Sequence, residues 1–276
     1  MSDLYNATVE IFRSNKSSTI FRVYPDKPIR KYIPGQYGSL GLMSDSSNKL
    51  VKRAYSISSS IVDIKSHKIK NQNELNYLEF YINRVPKQDL KREQITPKLF
   101  KLKDGDRIFC GEKIVGHYFI PDDHYWENVI FISSHTGESP NNSIINSLLL
   151  AKNKLNIVNI NVGKNWNTLY RDEHNLLEKN FSNYNFIQYE DDSLYYENFI
   201  NNFDESNENS LFSFKLDKDK TLVMICGDPK LIGAPIKKGG WEYDYPDYGL
   251  VNVLKGKSFE ISTRFKKGNI IFESYW

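Results

Sequence analysis

The chain has 276 residues, enough for two compact domains at roughly 150 residues each, and a formal charge of +3, too mild to point to a nucleic-acid partner. Hydrophobic residues make up 39% and aromatics 14%, which excludes a disordered chain and leaves aromatic surface for stacking. The cysteines, Cys110 and Cys226, are far apart and lack metal-ligand spacing, so neither a disulfide framework nor a zinc or iron–sulfur site is expected.

No run approaches the ~18 apolar residues of a membrane span, and the first residues lack the charged and apolar regions of a leader. The expectation is a soluble, cytoplasmic monomer that stays off membranes.

Up to Cys110 the sequence reads as short strands over residues 8–12, 19–24, 37–42, 54–58, 77–85 and 107–110, separated by Gly, Pro, Asn and Asp turns. This spacing predicts a small antiparallel barrel. Pro34-Gly35 opens the third strand and Asp104-Gly105 the last. Residues 62–76 are polar and read as an exposed hairpin loop. Within Arg53-Ala54-Tyr55-Ser56, an arginine, a phenol and a hydroxyl can hold a phosphate, cover an aromatic ring and hydrogen-bond a ring edge, the contacts a flavin would need. An amphipathic strand with a surface arginine would have the same letters.

Alternation along the next strand puts Tyr81, Asn83 and Val85 on one face, where they could border a ligand, and Phe80, Ile82 and Arg84 on the other. Thr96-Pro97 predicts a short helix over residues 96–101 with Thr96 as N-cap. The segment 111–119 carries two glycines around Lys113, a turn that suits a pyrophosphate and equally an ordinary strand connection.

From Asn128 the pattern changes. An apolar run at 129–132, a small-residue turn at 133–140 and an apolar-periodic helix at 141–152 open a parallel βαβ unit, with N–H groups at the helix start free for phosphate oxygens. Strands at 155–162 and 185–188 alternate with helices at 172–180 and 193–201. A polar stretch, 202–220, then precedes a buried strand at 221–226 that ends in Gly227-Asp228-Pro229, a helix at 249–255 and a last strand at 269–272. Alternating strands and helices predict a parallel, Rossmann-like sheet with its site at the carboxyl ends. The expected domains are a barrel over 1–122 and an α/β domain over 123–276. His117, His124, His135 and His174 form no metal spacing, and all four read as solvent or loop histidines.

Taken in order, Pro34-Gly35-Gln36-Tyr37, Arg53-Ala54-Tyr55-Ser56, the glycine segment with His117-Tyr118, the stretch Thr136-Gly137-Glu138-Ser139-Pro140-Asn141-Asn142, Cys226-Gly227-Asp228-Pro229 and Glu273-Ser274-Tyr275-Trp276 resemble the ferredoxin–NADP reductase family of flavoproteins, over nearly the whole chain. The resemblance implies that the barrel binds FAD and the α/β domain NADP. By it, Arg53 holds an FAD phosphate with Ala54 beside it, Tyr55 stacks on the flavin and Ser56 bonds near its reactive nitrogen. Tyr81, Asn83 and Val85, with Lys113, Gly116, His117 and Tyr118, form the further FAD contacts. Thr136 and Gly137 form the pyrophosphate loop, Cys226 lies beside the nicotinamide, and Gly227 and Asp228 are further cofactor contacts. Glu273 and Tyr275 match the terminal carboxylate and flavin-covering aromatic, with Trp276 as an extra aromatic. Ser56, Cys226, Glu273 and Tyr275 would carry the catalysis, and the terminal aromatics would have to swing aside for nicotinamide, a gate.

The chain departs from the family at two places. The loop usually begins with glycine where this chain has Ser134 or His135. Where NADP-preferring members have an arginine, this chain has Val162-Gly163-Lys164, so Lys164 with Arg171 would bind the 2′-phosphate and Tyr170 cover the adenine. A solvated loop lysine fits the same position, and a lysine lacks the arginine fork. Hydride transfer between NADPH and FAD, with single electrons passed to a separate acidic ferredoxin or flavodoxin, is the expected activity. An NAD(P)H-dependent flavin or oxygenase-type reductase is the alternative on the same fold, and a flavin-binding sensing module without turnover is the alternative of another class.

Overall fold

The computed structural model describes residues 4–84, 95–121, 126–152, 154–164, 167–205, 211–212, 214–239, 242–263 and 265–275. Val85, His124, Trp276 and the expected domain boundary at 122/123 lie outside them. The chain forms two compact units, Met1–Ile120 with Asn142–Ala151, and Pro121–Asn141 with Lys152–Trp276.

In the first unit β1 (Ala7–Ser14), β2 (Ser18–Pro25), β3 (Tyr37–Met43), β4 (Leu50–Ser56), β7 (Leu78–Asn83) and β8 (Arg107–Cys110) form one sheet in the order β4-β3-β8-β1-β2-β7, antiparallel throughout. The sheet curls toward closure where the chain after β4 meets β7. Ile57 bridges Phe80, and Ser58 N–H donates to the Glu79 carbonyl at 2.8 Å. Alternation explains the interior: Leu78, Phe80 and Ile82 of β7 turn into a core with Val9, Phe21, Val23, Leu40 and Ile108. Each such burial contributes about 1.5–3 kcal/mol.

The hairpin read over residues 62–76 is present, with regular structure beyond a bare loop. The chain pairs β5 (Ile61–Asp63) with β6 (Lys68–Lys70) in a hairpin and adds a one-turn helix, Gln72–Glu74, capped by Asn71. The predicted short helix is α1 (Thr96–Leu99), but Thr96 is its first residue and not its cap, because its hydroxyl is used by Tyr55.

In the second unit five parallel strands lie in the order β11-β10-β9-β12-β15, being β9 (Asn128–Ser134), β10 (Asn156–Gly163), β11 (Tyr184–Glu190), β12 (Thr221–Gly227) and β15 (Ile270–Ser274). β9 and β12 are buried along their whole length, as expected of central parallel strands covered on both faces. The winding reverses beside β9, so the crevice outside its carboxyl end is where a ligand fits this topology.

A one-turn helix, His135–Gly137, leads from β9 into α2 (Glu138–Leu150), which starts three residues before the expected Asn141. Pro140 misleads here: proline in the first turn costs a helix no hydrogen bond. The residues of α2 up to Asn141 group with the second unit, and Asn142–Ala151 with the first. There Gly35 N–H donates to Ser143 Oγ and Asn146 Nδ2 to the Ser60 carbonyl, both at 2.9 Å.

α3 (Arg171–Asn180) falls as predicted, whereas α4 (Glu197–Glu205) begins four residues later than expected. The Asp191 carboxylate accepts from the backbone N–H of Ser193 and Phe199, which winds the intervening residues into a turn. α5 (Pro229–Ile232), the hairpin β13 (Ile236–Gly239) with β14 (Glu242–Asp244), and α6 (Leu250–Gly256) complete the unit.

Candidate functional site

In the first unit β3 brings two sequence motifs together. On one side Tyr37, Gly38, Ser39 and Leu40 pair with Ser56, Tyr55, Ala54 and Arg53. On the other, Tyr37 exchanges both backbone bonds with Val115, at 2.8 and 3.1 Å. The Lys113–Tyr118 segment and the Arg53–Ser56 stretch, about 60 residues apart in sequence, are thus separated by a single strand. The turn before β3 fixes this arrangement. Gln36 Nε2 donates to the Gly116 carbonyl at 3.3 Å, the Gln36 carbonyl accepts from Ile57 N–H at 3.0 Å, and a Cβ on Gly35 would stand 1.9 Å from the Tyr118 carbonyl oxygen. Gly35 also holds φ = +97°, so no other residue fits there.

The side chains differ in exposure. Ala54, Lys113 and His117 are exposed, Arg53, Gly116 and Asn83 half-buried, and Ser56, Tyr81 and Tyr118 buried. Tyr55 packs on the barrel core and its hydroxyl lies 2.8 Å from Thr96 Oγ1; burial pushes its pKa up to about 12, with Thr96 and Arg53 pulling the other way. Arg53 has no carboxylate partner among the described residues, and Asn83 Oδ1 is buried without a hydrogen-bond partner. A half-buried cation lacking a counter-ion and an unused buried acceptor fit an anionic, hydrogen-bonding ligand such as FAD.

In the second unit the carboxyl ends of β9, β12 and β15 converge. Ser134 Oγ accepts from Asp228 N–H at 2.7 Å, Asp228 accepts from Tyr196 Oη at 3.2 Å, and Asp228 caps α5 through Lys230 N–H at 2.8 Å. A Cβ on Gly137 would lie 2.2 Å from the Cys226 carbonyl oxygen, so only glycine lets the turn after β9 lie this close to β12. Cys226 pairs with Glu273 across β12 and β15, Gly227 pairs with Ser274, and Tyr275 N–H donates to the Gly227 carbonyl at 2.8 Å. Thr136, Gly137, Cys226, Gly227, Asp228, Glu273 and Tyr275, seven predicted site residues, therefore share one edge.

Cys226 is fully buried; desolvation and the Glu273 carboxylate push its thiol well up, opposed by the Tyr275 hydroxyl. His135 holds φ = +52°, the left-handed region glycine occupies without cost, so the imidazole stands on a glycine-like backbone. Burial lowers the His135 pKa, and Asp228 pulls it back.

The two basic candidates have different surroundings. Lys164, just past β10, is exposed and has no partner among the described residues. Arg171 opens α3, donates to Gln188 Oε1 and lies 5.1 Å from the Phe186 ring. His174 is no loop histidine: it is 2% exposed, stacked at 3.9 Å on Phe186, with Nδ1 2.9 Å from Tyr184 Oη. Sequence reading also missed Glu138, Asn159, Asn161 and Thr168, all buried polar residues behind the carboxyl edge. Asn159 and Asn161 signalled themselves only as polar letters inside an apolar run, and Glu138 and Thr168 stand among polar neighbours that hide them. No group of His, Cys, Asp and Glu among the described residues could hold a metal.

No family model matches the chain. It is 23% identical over 283 aligned residues, 94% of each chain, to the flavodoxin/ferredoxin–NADP reductase of Buchnera aphidicola subsp. Schizaphis graminum. Among solved structures it is similar to a ferredoxin NADP+ reductase from Neisseria gonorrhoeae with bound FAD and NADP, at a TM-score of 0.72 and 14% identity, covering 98% of this chain and 97% of that one. It is also similar to the flavohem-like FAD/NAD binding domain of a nitric oxide dioxygenase from Vibrio cholerae, at 0.64 and 16%, covering 98% of each. The chain has the ferredoxin–NADP reductase fold, and its sequence resembles that family from end to end.

Proposed function

We propose that this chain is an FAD-dependent NAD(P)H oxidoreductase, and within that class a ferredoxin or flavodoxin–NADP reductase acting as a cytoplasmic monomer. The observation that carries the reading is the convergence of Arg53–Ser56 with Lys113–Tyr118 around β3, together with the Thr136-Gly137 turn held against Cys226–Asp228 at a parallel-sheet reversal. Among the described residues no helix is long and apolar enough to cross a membrane.

Bound FAD would take up two electrons as a hydride and release them singly. The protein's part is to bind and orient. Arg53 neutralises an FAD phosphate, Tyr55 presents its ring, Ser56 donates a hydrogen bond, and Tyr81, Asn83, Lys113 and Gly116–Tyr118 supply the remaining contacts. On the nucleotide side the N–H groups at the start of α2 hold the pyrophosphate, Lys164 meets the 2′-phosphate, and Cys226 with Glu273 and Tyr275 borders the nicotinamide. The net charge of +3 suits an acidic one-electron carrier.

A second reading, an NADH-dependent reductase, is favoured by one observation: the end of β11 beside Gly163 is acidic, with Glu190 and Asp192 both exposed. Such carboxylates repel a 2′-phosphate and suit a free ribose hydroxyl.

The test is an anaerobic absorption spectrum of the purified protein before and after NADPH and NADH, with Arg53→Ala/Tyr55→Ala alongside. A yellow wild type bleached by NADPH and a folded, colourless double variant are expected. Full flavin in the double variant overturns the FAD assignment. A yellow wild type bleached by neither nucleotide leaves a flavin-binding module, and bleaching by NADH alone selects the second reading.

A further inference from the structure

Behind the carboxyl edge of the second unit lies a polar cluster that the nucleotide contacts do not use. At its centre is Glu138, the first residue of α2, with none of its surface exposed. Its two oxygens are both engaged: Oε1 accepts from Thr168 Oγ1 and Oε2 from Asn161 Nδ2. Each donor carries the link further. Asn161 Nδ2 also reaches the His135 carbonyl at 3.3 Å, and Thr168 Oγ1 accepts from Tyr170 N–H at 3.0 Å. His174 of α3 approaches from a third side, its Nε2 3.9 Å from Glu138 Oε2, held by Tyr184 Oη, which accepts from Asn159 Nδ2 at 3.2 Å.

A buried carboxylate is expensive, and an apolar side chain of the same size would fill the space with less desolvation. What the carboxylate does that leucine cannot is join segments. One end of the cluster is the turn His135–Gly137, where a pyrophosphate would sit; the other is the connection 167–171, which runs from β10 into α3 and carries Tyr170 and Arg171. We propose that Glu138 is a positioning residue that sets the spacing between the pyrophosphate turn and the adenosine-side connection of the nucleotide site. The inference rests on the nucleotide-binding reading of this unit. A ligand that spans both ends requires them to be held within about half an ångström of the productive geometry, while a fragment that touches one end does not.

This asymmetry gives the experiment. Equilibrium titrations of the oxidised, FAD-loaded protein with NADP+ and with adenosine 2′-monophosphate, which lacks the pyrophosphate, are compared for wild type, Glu138→Leu, Glu138→Gln and Thr168→Val. Glu138→Leu is expected to weaken NADP+ at least fivefold while leaving adenosine 2′-monophosphate within twofold and FAD content unchanged. Glu138→Gln, which still accepts from Thr168 and can donate to the unused Oδ1 of Asn161, should fall between wild type and leucine. Thr168→Val removes one donor at constant shape and should weaken NADP+ at least twofold, which keeps the test alive if Glu138→Leu does not fold. NADP+ binding within twofold of wild type in both Glu138→Leu and Thr168→Val overturns the proposal, as does an equal loss for both ligands, the mark of general destabilisation. A wild type that binds neither NADP+ nor NAD+ overturns the nucleotide reading itself, and the proposal with it.

Discussion

Tyr55 Oη and Thr96 Oγ1 are 2.8 Å apart, so the strand that carries Arg53 and Ser56 is latched to the first residue of α1. Tyr55→Phe removes the latch and leaves Thr96 without this partner, at an expected cost of about 1–2 kcal/mol in a urea melt. The phenol also makes a pH test. Its folded pKa, pushed up to about 12, lies above the ordinary value of about 10. Above pH 10 the unfolded chain gives up this proton before the folded one does, so stability is full below about 10 and falls as pH rises toward 12. Tyr24, also raised to about 12, adds to the same decline. The urea midpoint measured between pH 9 and 12 should drop, and less steeply in Tyr55→Phe.

Gly35→Ala should be costly. The new methyl would meet the Tyr118 carbonyl at 1.9 Å on a backbone of φ = +97°. A loss of about 2 kcal/mol or more is expected, and because the Lys113–Tyr118 segment must move away, flavin per chain should fall as well. Absorbance after gel filtration reads the second effect; a variant with full flavin and an unshifted melt contradicts the hub role of this turn.

Nucleotide choice should depend on Lys164 more than on Arg171. Lys164 is exposed and unengaged among the described residues, whereas the Arg171 guanidinium is occupied with Gln188 and Phe186. A well-formed charge-assisted bond is worth ~1.5–3 kcal/mol, or roughly tenfold to a hundredfold, and a mobile lysine belongs at the low end. Lys164→Ala is expected to cut kcat/KM for NADPH about tenfold and leave NADH unchanged, with Arg171→Ala showing the smaller loss. Steady-state kinetics with both coenzymes decide it.

The cysteines should be silent to thiol reagents in the folded protein. Burial pushes Cys110 up to about 11 and Cys226 well above its ordinary value, and neither sulfur is open to solvent. A chromogenic disulfide reagent at pH 8 is expected to label neither thiol in native protein and both after denaturation. Rapid labelling of native Cys226 would mean that the end of β12 opens to solvent.

How far the sequence could be read follows from where each signal resides. Strands such as β7 and β12 were legible because alternation or an unbroken apolar run is a local property of neighbouring residues. The Arg53–Ser56 and Thr136-Gly137 stretches could be singled out because each packs its distinctive residue types within four letters. The cluster around Glu138 was not legible, since its members come from positions 138, 159, 161, 168, 174 and 184 and acquire meaning only when α2, β10, β11 and α3 come together. Asn159 and Asn161, both fully buried, sit in a strand read from its apolar letters, and nothing local announces their partners. The hairpin β13–β14 escaped because Lys237, Lys238 and Gly239 carry no period and β14 is only three residues long.

The division of α2 bears on synthesis. The first unit is discontinuous, since its tally of residues includes Asn142–Ala151, with Ser143 bonded to Gly35 and Asn146 to Ser60. A ribosome that has released only the barrel strands has therefore not yet released all of the unit they belong to. By the time Ala151 emerges, β9 has emerged too, though its partners β10 and β12 have not. A chain cut at the Ile120–Pro121 junction would leave Gly35 and Ser60 without these two bonds, so the barrel released by such a cut should fold less stably than it does in the full chain.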